Sequence, residues 1–163
     1  MYIDNWWGDY IGSSADSAVL LRYFEQDDTG EYPLSRIFTD FNLYELIQWG
    51  DFRETEEIGF TDEDGRTHPI SSVINLVADL AAIQLESLRS GSVSLTDLDG
   101  EIPSAKRFVI QPDEDGVDCL VEALREFADA PEEYDIAARL PEDELREMAA
   151  QCRSLADVLE RSL

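Results

Sequence analysis

The residues of this sequence that could do chemistry are few and stand apart from one another. The single histidine, His68, precedes Pro69, and no second histidine exists to share a metal ion. A general base also needs a nucleophile or an acid at hydrogen-bond distance. The two cysteines, Cys119 and Cys152, lack the spacing of a zinc site or a disulfide framework. We therefore expect a structural or surface role for His68, and the sequence predicts no catalytic residue, no metal and no cofactor.

Two copies of the tetrapeptide DEDG, at 62–65 and 113–116, suggest calcium at first sight. An EF-hand loop needs a glutamate at its twelfth position, where the first copy has Val73, and in the second copy a helical pattern begins at once. We interpret the first copy as a turn and the second as a helix cap. The stretch GSSADS at 12–17 has the wrong pattern for a phosphate loop and is typical of a helix N-terminus.

Asn75 and Asp79 interrupt the most apolar stretch of the chain. Polar side chains on a buried helix need hydrogen-bond partners. Such residues more often tie a loop to the core than catalyse, and we predict that role for both. Carboxylates are so abundant elsewhere that any two of them could be described as a catalytic pair, so their pairing carries no information.

The segment IDNWWGDYIG, residues 3–12, combines aromatic and acidic side chains. Tryptophan and tyrosine join a large contact area to a polar tip, and both are enriched at interface hot spots. Trp6, Trp7 and Tyr10 cannot all point the same way. We expect one tryptophan of the pair to anchor the core and the other to be partly exposed, while the same choice stays open for Trp49.

The charge of the chain is its most unusual bulk property. The 163 residues hold 37 acids and 12 bases, a formal net charge of −25. This balance argues against nucleic acid and anionic membranes as direct partners and favours a basic protein. An acidic surface also fits a soluble domain without any specific partner. No signal peptide and no span-length apolar run is visible, so we expect a cytoplasmic protein.

The elements that must position these residues follow from periodicity and turn signals. We predict a first helix over about 14–24, a short amphipathic helix over 34–41, a hairpin turning at Asp64–Gly65, and a central helix over about 70–89. Strands follow at 93–95 and 107–111, then helices after Asp113 and from Pro141. Ser154 and Asp157 have capping-box spacing near the end of the chain.

These elements predict an α+β fold of one domain, residues 1–163, with several helices around a buried central helix and a small, mostly antiparallel sheet. The central helix is apolar over most of its circumference, which indicates burial on more than one side.

Two stretches together carry a family resemblance: YIDNWWGDYIGSSADSAVLLRYF and GFTDEDGRTHPISSVINLVADLAAI. Over about residues 1–90 the chain resembles the small acidic immunity proteins encoded beside bacterial polymorphic and contact-dependent toxins. The resemblance implies a cytosolic protein that binds one cognate toxin and blocks it, with no catalytic residues to carry over. Many such proteins act on nucleases, whose basic clefts attract acidic inhibitors.

From the density of acids near aromatic residues we predict a set of partner-binding residues. The set consists of Trp7, Asp9, Tyr10, Asp27, Asp28, Glu54, Glu56 and Glu57.

Three other functions fit the same sequence. A nucleic-acid mimic that inhibits a DNA-binding protein would carry acids at phosphate-like spacing along one face and would bind several basic proteins. A carboxylate-dependent enzyme would hold Asp79 or another acid in a pocket with a shifted pKa. An acidic domain without a specific partner would bind nothing selectively.

Overall fold

The computed structural model describes residues 2–26, 29–45, 51–55, 58–102, 104 and 106–162, and helices and short strands alternate along it. The helices are α1 (Ala15–Gln26), α2 (Leu34–Asp40), α3 (Val73–Ser90), α4 (Leu95–Leu98), α5 (Glu114–Asp129) and α6 (Glu142–Arg161). The strands are β1 (Glu31–Pro33), β2 (Gly59–Thr61), β3 (Thr67–Pro69), β4 (Val93–Ser94) and β5 (Arg107–Gln111). Short 3-10 helices cover Tyr2–Asn5, Pro131–Glu133 and Asp135–Ala138.

Helix α3 is the central helix that the sequence predicts. Every residue from Val73 to Ser87 is buried, and α1, α5, α6, β5 and the 3-10 helix Tyr2–Asn5 pack around it. The helix begins three residues later than predicted, because the Ile70 amide donates to Ile58 O (2.9 Å) and so continues the hairpin. It ends at Gly91, whose φ of 81° supplies the left-handed cap that favours glycine.

The sheet that covers part of α3 is mixed. β5 lies in the middle, parallel to β1 and antiparallel to β4. Polar residues of α3 bind its backbone: Gln84 Nε2 donates to Ile110 O (2.9 Å), and the Ile110 amide donates to Ser87 Oγ (3.2 Å). The sequence did not reveal β1, because three residues are too few to show a period of two. Leu95, predicted in a strand, begins α4 instead.

The hairpin β2–β3 is antiparallel and closes on the first DEDG turn, as predicted. Asp62 Oδ1 accepts from the amides of Asp64 and Arg66, both at 2.9 Å, and Gly65 has a φ of 82°. His68 stacks on Phe60 with ring centroids 4.8 Å apart, and its Nε2 lies 2.7 Å from Asp62 Oδ2. The structural role expected of His68 is confirmed.

The second DEDG copy is a helix cap, also as predicted. Asp113 Oδ1 accepts from the amide of Gly116 at 2.7 Å at the start of α5. From there α5 presents its buried apolar face to α6 and α3.

Helix α6 is one continuous helix, so the capping box predicted at Ser154 and Asp157 is wrong. The buried stripe of its first half continues without a break through Leu155, Ala156 and Leu159. Burial of that stripe against α5 outweighs a local signal that would have begun a new helix.

The start of α3 is held by a carboxylate from another helix. Asp16, in the first turn of α1, accepts four hydrogen bonds while only 2% exposed. Its Oδ1 accepts from the amide (2.7 Å) and the hydroxyl (2.9 Å) of Ser71, and its Oδ2 accepts from the Ser72 amide (3.0 Å) and Asn75 Nδ2 (2.9 Å). The carboxylate thus satisfies the amides of the N-cap residue Ser72 and of Ser71 before it, and places negative charge at the positive end of the helix dipole.

We expect Asp16→Ala to lower the free energy of unfolding by about 3 kcal/mol, because it leaves several buried donors without an acceptor. Urea denaturation at neutral pH measures the loss. Asp115→Ala, which removes an exposed acid from the first turn of α5, is the matched control and should cost about 0.5 kcal/mol. Equal losses in the two variants would contradict the bridging role of Asp16.

Candidate functional site

The aromatic and acidic residues near the N-terminus form a loop that closes on itself, the Trp7–Gly12 loop. The Gly8 amide donates to Ile11 O at 2.8 Å, and Trp7 pairs with Ile11 as an isolated β-bridge. Gly8 and Gly12 have φ values of 125° and 85°, which glycine adopts without strain. The tip of the loop therefore presents Asp9, which is exposed, and Tyr10, which is half-buried.

The Trp7 side chain contacts both Leu98 and the Gly12 end of this loop. Its Nε1 donates to Leu98 O at 2.9 Å, and its ring lies so close to Gly12 that a Cβ there would collide with it. Trp6 is only 9% exposed, and Trp7 is half-buried. The prediction that one tryptophan anchors the core and the other stays partly exposed is confirmed, whereas Trp49 lies outside the described residues.

The loop is tied to the central helix by Asp79. Asp79 Oδ1 accepts from the Gly12 amide (2.8 Å), and its Oδ2 accepts from Ser17 Oγ (2.5 Å). Ser14 and Ser17 also exchange hydrogen bonds at the start of α1, where Ser14 Oγ accepts from the Ser17 amide (3.1 Å). Asp79 therefore has the loop-tying role that the sequence predicts, whereas Asn75 Nδ2 donates to Asp16 Oδ2 (2.9 Å) and joins α3 to helix α1 rather than to a loop.

Tyr10 lies among carboxylates from two distant parts of the chain. Its hydroxyl donates to Glu147 Oε2 at 2.7 Å. That hydrogen bond, then partial burial, then the charges of Glu147, Glu144 and Asp9 raise the pKa of Tyr10 to about 12. We call Asp9, Tyr10, Glu144 and Glu147 the Tyr10 patch. Among the residues that the structure describes, no lysine or arginine forms an ion pair with its three acids.

A groove of about 280 Å³ opens beside the Tyr10 patch. Ile136, Leu140 and Met148 supply apolar wall, and Asn75 lies at its base near the start of α3. Arg139 also borders the groove, with its Nη1 donating to Ser72 Oγ at 2.7 Å. The groove thus joins an apolar interior to an acidic and aromatic rim.

The other predicted partner-binding residues do not all fall in this region. Glu54 is exposed, and its neighbour Thr55 accepts from the Val73 amide through Oγ1 (2.8 Å), which places the segment at the same end of α3 as the groove. Asp27, Asp28, Glu56 and Glu57 lie outside the described residues. Sequence reasoning missed Glu144 and Glu147, because Glu147 is 137 positions away from Tyr10 and no local pattern links them.

The surroundings of both cysteines disfavour the reactive thiolate form. Burial, together with nearby acids, raises the pKa of the Cys119 thiol to about 11 and that of Cys152 to about 12. Over the described ranges, no group of three or more His, Cys, Asp or Glu side chains could hold a metal ion. No helix in the described part of the chain is long and apolar enough to cross a membrane.

Asp79 is the acid with the shifted pKa that the enzyme alternative requires, but it lies beneath the loop and does not line the groove. Burial raises its pKa to about 7 and the nearby charge of Asp16 adds to the rise, while hydrogen bonds from Ser17 and Gly12 oppose it. Between about pH 4 and pH 7, Asp79 therefore holds its proton in the folded chain and loses it in the unfolded chain. Stability contributed through Asp79 therefore falls as the pH rises from about 4 to 7.

We expect Asp79→Asn to remove this pH dependence. An asparagine oxygen can accept from the Gly12 amide, and its amide can donate to Ser17 Oγ. Between pH 4.5 and 7.5 the free energy of unfolding of the variant should gain about 3 kcal/mol relative to the unmodified chain. Urea denaturation of both proteins across that range measures it, and parallel curves would show that Asp79 does not hold a proton in the folded state.

A comparison with protein families now identifies the chain. The sequence matches the family described as Immunity protein 68 over residues 2–159. The likeness therefore extends beyond the first 90 residues to α5 and most of α6. Comparisons with curated proteins and with solved structures returned no match. The chain belongs to the Immunity protein 68 family and is an immunity protein of a toxin system.

Proposed function

We propose that this immunity protein neutralises its cognate toxin by stoichiometric binding of a basic toxin surface to the Tyr10 patch. One observation carries the proposal: the patch places an aromatic ring among three carboxylates that have no basic partner in the described chain. Such a surface attracts a cationic partner over a distance and offers it a rigid contact on arrival.

Local pairing of charges distinguishes the patch from much of the surface. Arg125 bonds to Asp157 and Glu160, and Arg153 bonds to Asp129 at 2.7 Å. Similar pairs join Arg146 to Glu142, Arg53 to Asp51 and Arg36 to Asp40. Acids paired in this way add little to the field that an approaching partner meets.

Unpaired acids alone do not define the site, because α5 carries them too. Asp118, Glu122 and Glu126 are exposed along one face of that helix and form no ion pair among the described residues. That face has no exposed aromatic residue and contributes no residue to the groove beside the Tyr10 patch. The aromatic ring and the groove favour the Tyr10 patch as the contact surface, and the α5 face supplies a matched control.

We assign the two kinds of residue different roles. The carboxylates raise the association rate, and buried contact with Tyr10 and the exposed part of Trp7 lengthens the life of the complex. Glu54 lies close enough to the α3 start to extend this surface. Asp27, Asp28, Glu56 and Glu57 stay predicted members of the interface.

A toxin that acts on nucleic acid would present the required basic surface, because it must neutralise phosphates. We therefore propose a nuclease as the partner, met in the cytoplasm as the family resemblance implies. Inhibition by binding rather than catalysis agrees with the structural use of Asp79, Asn75 and His68, and with the raised pKa values of both thiols.

A pull-down from the native organism tests the proposal, with this chain as tagged bait washed at moderate salt. We expect one dominant stoichiometric partner that is toxic when expressed alone and harmless when co-expressed with this chain. A spread of many basic proteins that salt releases would contradict it and favour nucleic-acid mimicry or nonspecific acidity.

Two triple variants with the same change in net charge locate the interface. Asp9→Asn/Glu144→Gln/Glu147→Gln neutralises the Tyr10 patch, and Glu147→Gln still offers an oxygen to the Tyr10 hydroxyl. At low salt we expect this variant to bind the captured toxin with an association rate about tenfold lower, as measured by stopped-flow fluorescence.

The control is Asp118→Asn/Glu122→Gln/Glu126→Gln on α5, for which we expect a change below about twofold. If both variants slow binding equally, net charge rather than the Tyr10 patch governs association. An unchanged rate in the first variant removes the patch from the interface.

A further inference from the structure

We propose that the groove beside the Tyr10 patch receives one arginine side chain of the toxin, with the aliphatic stem inside and the guanidinium at the acidic rim. This inference deepens the proposed function and rests on it, since it names the chemistry by which the same surface recognises its partner.

The interior of the groove suits a long aliphatic stem. Leu140, Met148 and Ile136 present apolar surface, and the volume of about 280 Å³ lies near the lower end of the range for ligand pockets. A space of this size holds one side chain rather than a folded segment. Arginine and lysine bury their methylene groups along such surfaces while the charged end stays at a polar rim.

Asp9 and Tyr10 line the groove, and Glu147 adjoins it through the Tyr10 hydroxyl, so the rim suits a guanidinium. Glu147 uses one carboxylate oxygen for the Tyr10 hydroxyl, and its other oxygen has no hydrogen bond in the described chain. Asp9 and Glu144 also act on Tyr10 through their charges. A planar guanidinium can donate to two carboxylates at once and can lie against an aromatic ring, whereas an ammonium is a point charge.

The base of the groove disfavours an anion. The amides at the start of α3, which would attract one, are already bound by Asp16 and by Thr55 Oγ1. Arg139, the one cationic residue among the described residues that line the groove, donates to Ser72 Oγ. The groove and its surroundings hold four carboxylates against the single positive charge of Arg139, namely Asp9, Asp16, Glu144 and Glu147.

The chain contains an internal probe of this groove. Its two methionines are Met1 and Met148, and Met148 lines the groove. Methyl-labelled methionine gives an NMR spectrum of the full chain with one signal in the groove and one at the chain start. We would titrate this protein with N-acetyl-arginine amide and, as a neutral isostere, with N-acetyl-citrulline amide.

We expect the arginine probe to shift the Met148 signal saturably and the citrulline probe to bind at least about tenfold more weakly, because it lacks the charge that the rim attracts. Glu144→Gln/Glu147→Gln should weaken arginine binding about fivefold or more, and Glu122→Gln/Glu126→Gln should leave it unchanged. Each variant must first show the methionine spectrum of the unmodified fold.

Three results would show that the groove does not bind a cationic side chain. Arginine and citrulline could shift Met148 equally, the Met148 signal could stay constant while other surface signals move, or the α5 control could lose as much binding as the rim variant. Equal binding of N-acetyl-lysine amide would overturn the choice of a guanidinium over an ammonium.

The two proposals fail in different ways. A chain that captures and neutralises a toxin but does not bind the arginine probe keeps the proposed function and loses the arginine groove. A chain that binds the probe at Met148 but captures no toxin keeps a guanidinium site and loses the proposed function.

Discussion

Two buried carboxylates, Asp16 and Asp79, hold the N-terminal part of the chain against the central helix. Helix α3 is buried from Val73 to Ser87, so the polar groups along it need partners within the protein. Asp16 supplies an acceptor to the start of α3, and Asp79 supplies one to the Gly12 amide and to Ser17. Helix α1, the Trp7–Gly12 loop and α3 are thereby joined through side chains rather than through a sheet.

This arrangement suits the short Trp7–Gly12 loop to the contact surface that we propose for it. Asp79 accepts from the Gly12 amide at the end of the loop, and the Trp7 ring packs against Gly12. At the tip, the Tyr10 hydroxyl donates to Glu147 of α6. A tip held on three sides loses little conformational entropy when a partner binds. The burial of Asp79 lowers the free energy of unfolding as the pH rises from about 4 to 7, because ionisation of this carboxyl group is unfavourable in the folded state.

The acidity of the chain has two components with different consequences. Some acids pair with arginines, and three of those pairs, Arg125 with Asp157 and Glu160 and Arg153 with Asp129, link helices α5 and α6. Acids without basic partners, such as those of the Tyr10 patch and of the α5 face, create the field that a partner meets. The formal net charge of −25 does not show this division, and the proposed recognition depends on where unpaired acids adjoin an aromatic ring and a groove.

The sequence by itself determined the α+β class, the buried helix α3, the hairpin with its DEDG turn, the Asp113 cap and the structural roles of His68, Asn75 and Asp79. These features follow from apolar periods longer than two turns, from turn residues with special φ, and from the rule that buried polar groups need partners. Each of those signals lies within one segment of the chain or concerns burial alone, so it does not depend on which other segments pack against it.

Only the tertiary structure decided the rest. Strand β1 exists because β5 pairs with it, and α6 is continuous because its stripe packs on α5. Which tryptophan faces the core depended on where Leu98 and Gly12 lie. The Tyr10 patch and its groove assemble from the loop, the segment around Leu140 and α6, which are distant in sequence. Long-range contacts of this kind leave no local pattern, because the energy that forms them comes from the packing of whole elements.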